Sequence, residues 1–231
     1  MARMIEFKRP DGAVVNGYLA EAAQPQGAVV VIQEWWGLND QITGVADRLA
    51  QAGFTALVPD LYRGKRTVEA EEAHHLMDGL NFGDAATQDV RGAVQYLKGL
   101  KLGSGRVGVT GYCMGGALTL LAAVNVPEAD AAVVWYGFPP LEYVNASQIK
   151  IPLQAHWATQ DAFFKIEDVD RLEAKLAEAG VSYEGHRYLA IHAFANETAV
   201  GEGRMPTSQF DPVWAQRAWD RVMRFFGKQL G

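Results

Sequence analysis

The stretch Arg106-Val107-Gly108-Val109-Thr110-Gly111-Tyr112-Cys113-Met114-Gly115-Gly116-Ala117-Leu118-Thr119-Leu120-Leu121-Ala122-Ala123-Val124 decides the fold. Its first five residues form a short apolar, β-rich run, and its last eight are strong helix formers. Cys113, the only cysteine of the chain, therefore stands where a strand turns into a helix, flanked by glycines. A G-x-nucleophile-x-G elbow forces a strained backbone on its central residue, and small neighbours are required because a Cβ there would collide with the adjoining strand and helix. A lone cysteine is most often a buried, inert side chain; this context instead presents a nucleophile. The helix N-terminus favours a thiolate, and the Met114 amide is placed to hold a developing oxyanion.

Outward from the elbow, short apolar runs at 28–32, 55–58, 106–110, 131–135 and 151–156 read as strands buried on both faces. Segments of helical period lie between them, at 39–52, 68–80, 84–98, 114–124 and 166–179. Residues 4–9 and 14–20 alternate around Pro10-Asp11-Gly12 as an opening β-hairpin. The tail adds a strand at 182–188 and a helix at 212–227, with Trp214, Ala218, Trp219, Val222 and Phe226 on one face. Alternating strands and helices predict an α/β fold, a mostly parallel sheet covered by helices on both faces. No linker divides the 231 residues, so residues 1–231 read as a single domain.

With 49% apolar and 21% charged residues the chain is an ordinary globular one, able to bury a core. A net charge of -6 without a basic stripe argues against nucleic acid and anionic membrane surfaces as partners, which leaves small molecules. No apolar signal-peptide core opens the chain, and no stretch approaches the roughly 20 apolar residues of a membrane span. One cysteine allows no internal disulfide, in keeping with a reducing cytoplasm. The histidines lack ligand spacing such as H-E-x-x-H, so no metal and no cofactor is expected. A monomer or small homo-oligomer is expected.

In parallel sheets the ligand sits beyond the carboxyl ends of the strands. The polar residues just past those ends are Glu34, Cys113, Asp161 and His192. The order nucleophile, acid, histidine is that of α/β-hydrolase triads. Of the competing histidines, His156 lies near a strand end, His186 falls within a strand pattern, and His74 and His75 lie in a helical segment. Only His192 follows the last strand in a loop. Asp161 reads either as a helix cap or as the acid of the triad, and Asp168 fits the cap better. Glu34, in Gln33-Glu34-Trp35-Trp36-Gly37, sits among large rings that would raise its pKa, which suits either a buried structural carboxylate or a group modulating the thiol. The Trp35 amide is a second candidate oxyanion donor.

These pieces together resemble the dienelactone hydrolase family, whose α/β-hydrolase members use a cysteine where serine is more usual. The resemblance covers nearly the whole chain. It rests on Gln33-Glu34-Trp35-Trp36-Gly37-Leu38-Asn39, Val58-Pro59-Asp60-Leu61-Tyr62, Gly111-Tyr112-Cys113-Met114-Gly115-Gly116, Trp135-Tyr136-Gly137, Asp161 and His192-Ala193-Phe194. It implies a Cys113–His192–Asp161 triad, contact of Glu34 with the cysteine, and cofactor-free hydrolysis of a lactone or small carboxylic ester through a thioester. The alternatives are a general carboxylesterase or thioesterase on small acyl groups, or a non-catalytic redox-sensing or binding protein. Trp36, Tyr62, Tyr136, Phe138 and Phe194 are candidate pocket residues, while Trp157 and Phe163 read as packing. One departure stands out: similar enzymes acting on a chlorinated-catechol lactone carry an arginine four positions beyond the histidine, where this chain has Asn196. A second arginine has no match among Ala70, Glu71 and Glu72, leaving Arg63, Lys65, Arg66 or Arg204 as substitutes.

Overall fold

The computed structural model describes residues 1–202 and 204–231. Eight strands form one sheet: β1 (Ala2–Lys8), β2 (Val14–Ala20), β3 (Gly27–Ile32), β4 (Phe54–Pro59), β5 (Val107–Tyr112), β6 (Ala131–Trp135), β7 (Leu153–Ala158) and β8 (Tyr183–Tyr188). Their spatial order is β1-β2-β4-β3-β5-β6-β7-β8. The first hairpin joins the sheet antiparallel through β2 and β4, and every later pairing is parallel. Every residue of β3 to β7 is buried, which is what unbroken apolar runs require in a sheet covered on both sides. The fold is that of the α/β hydrolases, as expected.

The helices are α1 (Asp40–Gln51), α2 (Ala70–Asp78), α3 (Phe82–Asp84), α4 (Arg91–Leu100), α5 (Met114–Asn125), α6 (Ile166–Glu178) and α7 (Pro212–Leu230). Asn39 caps α1 by accepting from the Ile42 amide, and Asp211 caps α7 ahead of Pro212. Two elements depart from the sequence reading. The helix expected over 84–98 is interrupted by a π-helical turn at Ala85–Val90. Within that turn the buried Asp89 meets Arg9 and Arg63, so a carboxylate that must be paired is carried on a locally widened turn. The last helix continues past Gly227 to Leu230, because Leu230 is buried in the same core cluster as Phe54 and Phe226. Ser104 and Arg106 donate to the carbonyls of Leu230 and Gln229, satisfying acceptors that a helix end otherwise leaves open.

Register brings the carboxyl ends of the central strands to one rim. Ile32 pairs with Gly111, Tyr112 with Trp135, Trp135 with His156, and Ala158 with Tyr188. The segments that follow these ends carry Glu34, Cys113, Tyr136, Asp161 and His192.

Candidate active site

Cys113 sits at φ 54° and ψ −116°, between the end of β5 and the start of α5. A Cβ on Gly111 would lie 2.2 Å from the Gly115 carbonyl oxygen, and one on Gly115 would lie 2.4 Å from that of Ile32. The flanking glycines are thus required by close backbone approach. Of the five non-glycine residues with positive φ, Cys113, Tyr136 and Ala193 all belong to this site, so backbone strain is concentrated where side chains must be aimed. Among the described residues, neither the Trp35 nor the Met114 amide has a hydrogen-bond acceptor. Both are available to an incoming oxygen.

His192 Nδ1 lies 2.7 Å from Asp161 Oδ2, with both side chains almost wholly buried. The other oxygen, Oδ1, accepts from the amides of Phe163 and Phe164 at 2.8 and 3.0 Å. Asp161 therefore acts as a local turn acceptor and as the partner of the imidazole at once. With Nδ1 taken, Nε2 is the ring nitrogen left for Cys113, whose sulfur lies near enough to act on the charge of the imidazole. Burial opposes a charge on this imidazole, but the sulfur of Cys113 and the carboxylate of Asp161 outweigh it and raise the pKa to about 10. The rings of Tyr136, Phe163 and Phe164 pack around His192 and fix its orientation.

Glu34 is 4% exposed and burial pushes its carboxyl up, countered by His192, Asn196 and Tyr136. Its oxygens accept from Tyr136 Oη at 3.1 Å and from Asn196 Nδ2 at 2.8 Å. Glu34 and Cys113 line the same cavity. Asn196 Oδ1 accepts from the Thr198 amide and hydroxyl, which orients the Asn196 amide group with its NH2 toward Glu34.

A cavity of about 1340 Å3 opens over Cys113. Of the expected pocket residues, Trp36 and Phe138 line it; Tyr62, Tyr136 and Phe194 are buried behind the lining. Tyr62 donates to Met114 Sδ at 3.2 Å, and Phe194 packs on Tyr136 and Tyr188. Phe163, read from sequence as packing, is half exposed and lines the cavity with Phe164, whereas Trp157 is core as expected. The Asp161-to-amide turn was the available signal, since it places the residues two and three positions on beside the imidazole. Among the substitute cations only Arg204 lines the cavity. Arg63 instead bonds the Asp60 carbonyl and Asp89, and Arg66 faces Asp40. His156 is buried on Tyr188 and Gln154, His186 pairs with Glu184, and His74 pairs with Asp78. No group of three or more potential metal ligands occurs among the described residues, and no helix is long and apolar enough to cross a membrane.

The sequence model of the dienelactone hydrolase family matches residues 15–230. A protein of Aquifex pyrophilus named "Protein usf" is 34% identical over 238 residues that span both chains completely. A "Putative carboxymethylenebutenolidase" of Aquifex aeolicus is 31% identical over the same span. Among solved structures, a dienelactone hydrolase-like promiscuous phosphotriesterase, P91, from metagenomic libraries superposes with a TM-score of 0.85 at 24% identity, covering all of this chain and 99% of that one. With the family matched from Val15 to Leu230 and relatives above 30% identity along their whole length, the chain belongs to the dienelactone hydrolase family and is a carboxylic ester hydrolase.

Proposed function

We propose that the chain acts as one hydrolase domain that cleaves a lactone or carboxylic ester through a Cys113 thioester, without a cofactor. The Cys113 sulfur attacks the ester carbonyl while the amides of Trp35 and Met114 receive the oxygen as it becomes negative. His192 holds the proton of the thiol on Nε2 and gives it to the departing alkoxide. Asp161 keeps Nδ1–H pointed away from the sulfur and supports the imidazolium. Water, deprotonated by the same Nε2, then attacks the thioester and releases the acid. In a lactone the alcohol remains attached, so the product is a ring-opened hydroxy or keto acid. Glu34 sets the charge beside the imidazole and modulates the thiol.

The observation that carries this reading is the 2.7 Å Nδ1–Oδ2 contact of a buried histidine whose other nitrogen is left for a sulfur on a strained elbow. Cys113→Ala should lower kcat/KM for p-nitrophenyl acetate by at least ~10³-fold. Wild-type enzyme quenched in acid during turnover should carry one acetyl group on Cys113 by mass spectrometry. Full activity in the alanine variant would overturn the reading. The general-carboxylesterase alternative is favoured by one observation: Asn196, not a cation, lies against Glu34. Turnover of p-nitrophenyl acetate far above that of a dienelactone would select it.

A further inference from the structure

The cavity is much larger than the reaction needs. Its roughly 1340 Å3 exceeds the ~300–1,000 Å3 of pockets that hold drug-sized ligands. It also has a direction. Ala117, Leu121 and Asn125 line it at intervals of four, so it runs along one face of α5 from the nucleophile to the far end of that helix. At 1.5 Å per residue, Cys113 to Asn125 is about 18 Å. Met77 and Phe82 also line this trough, and the exposed Val68, Tyr143 and Phe163 are further lining residues that present apolar surface to solvent.

Among the described residues it offers a substrate carboxylate no free bidentate cation. Glu34 and Glu69 line it, while among the described residues the only lining guanidinium is Arg204, whose Nη1 is turned to the carbonyls of Met205 and Ser208. Of the two lining histidines, His74 pairs with Asp78, and His192 is held on Nδ1 by Asp161 with its other nitrogen needed for the reaction at Cys113. Asn196 spends its amide group on Glu34 and Thr198. A substrate carboxylate would find no bidentate partner beside Cys113 and would face a buried carboxyl instead.

We infer that the substrate is an uncharged ester with an extended apolar acyl chain, which lies along α5 between Ala117, Leu121, Met77 and Phe82. This inference rests on the proposed thioester route, in which the acyl half stays on the sulfur through both steps and so benefits most from a trough beginning there.

The test is a series of p-nitrophenyl esters with a constant leaving group. From acetate to octanoate kcat/KM should rise at least tenfold, and the hemisuccinate, which matches butyrate in length but carries a carboxylate, should run at least tenfold below butyrate. A flat or falling series, or a hemisuccinate equal to butyrate, overturns the inference while leaving Cys113-dependent hydrolysis intact. Asn125→Trp, at the exposed end of α5, and Leu121→Trp should each cut the octanoate-to-acetate ratio at least fivefold; an unchanged ratio in both would also overturn it. Binding is read separately in Cys113→Ala, where quenching of Trp35 and Trp36 by methyl octanoate should saturate at a concentration at least tenfold below that for methyl acetate. Equal saturation counts against the substrate class even if no ester is turned over, whereas Cys113-independent turnover strikes the thioester reading alone.

Discussion

Two histidines of this protein are buried to similar depth, yet their environments drive them in opposite directions. His192 is pushed up to about 10 and His156 well below its ordinary value. Burial alone disfavours the charged form of both. The difference lies in what each ring touches. His192 has an acid on Nδ1 and the Cys113 sulfur near enough to raise it further. His156 lies between Tyr188 Oη at 2.8 Å and Gln154 Oε1 at 3.0 Å, with His186 and Arg221 adding positive charge nearby. The amide oxygen of Gln154 can only accept, so His156 carries its proton on Nε2 and accepts on Nδ1 from Tyr188. Tyr188 in turn accepts from Arg221 at 2.9 Å. This chain of donors is complete and holds a neutral ring. A buried imidazole becomes a candidate base through an acid on one nitrogen and a reacting atom at the other; burial by itself yields a packing residue.

The sharpest way to break this contrast is to remove the acid. In Asp161→Asn the side-chain oxygen can still accept from the Phe163 and Phe164 amides, which leaves an NH2 facing His192 Nδ1. The ring is then driven to the tautomer with its proton on Nε2, useless for taking one from sulfur, and kcat/KM should fall by roughly 10²–10⁴-fold. The direction with pH also follows. In the wild type the imidazolium is lost only as pH rises through about 10, and deleting a carboxylate that raises this value must move the loss to lower pH. The alkaline limb of kcat/KM should therefore shift down in the variant. An unmoved limb would mean that Asp161 merely braces a turn.

Glu34→Gln comes next in size. The amide oxygen can still accept from Asn196 while its NH2 donates to the Tyr136 hydroxyl, so the fold should persist and kcat/KM should change by about 5- to 20-fold. Because burial raises the Glu34 carboxyl, any acid limb it causes lies above the ordinary carboxylate range and should disappear in the variant. Coincident pH profiles would make Glu34 a structural residue.

The elbow was legible because its demands are local. Close approach requires glycine at 111 and 115, and the switch from β-rich to helix-forming residues marks the turn. The parallel strands were legible because both faces are buried, which leaves an unbroken apolar run. The pairing of Asp161 with His192 was legible through chain order and their position past strand ends. What could not be read depends on distant partners. Asn196 meets Glu34 across 162 positions, and the π-helical turn at Ala85–Val90 accommodates Arg9 from the opening hairpin. The last turn of α7 is held by Ser104 and Arg106, which local helix rules do not anticipate past a glycine. Tyr62, Tyr136 and Phe194 show the same limit: sequence placed aromatic rings near the site, but only packing decides which of them form the lining and which stand behind it.

The smallest effect on catalysis is expected where the second histidine is disturbed. Tyr188→Phe deletes one hydroxyl and keeps the ring that packs on Phe194 and Trp214. His156 Nδ1 then loses its donor and Arg221 loses an acceptor, which should cost about 1–2 kcal/mol of stability, read as a lower denaturant midpoint at unchanged m-value. Activity should stay within about twofold, because none of these groups touches Cys113 or His192 and ~1.4 kcal/mol of barrier would be needed for a tenfold change. A tenfold loss of kcat/KM without a loss of stability would show that the neutral chain through Tyr188 is coupled to the charged one through Asp161. The two histidines would then form one network, and the contrast between them would no longer separate a packing residue from a reacting one.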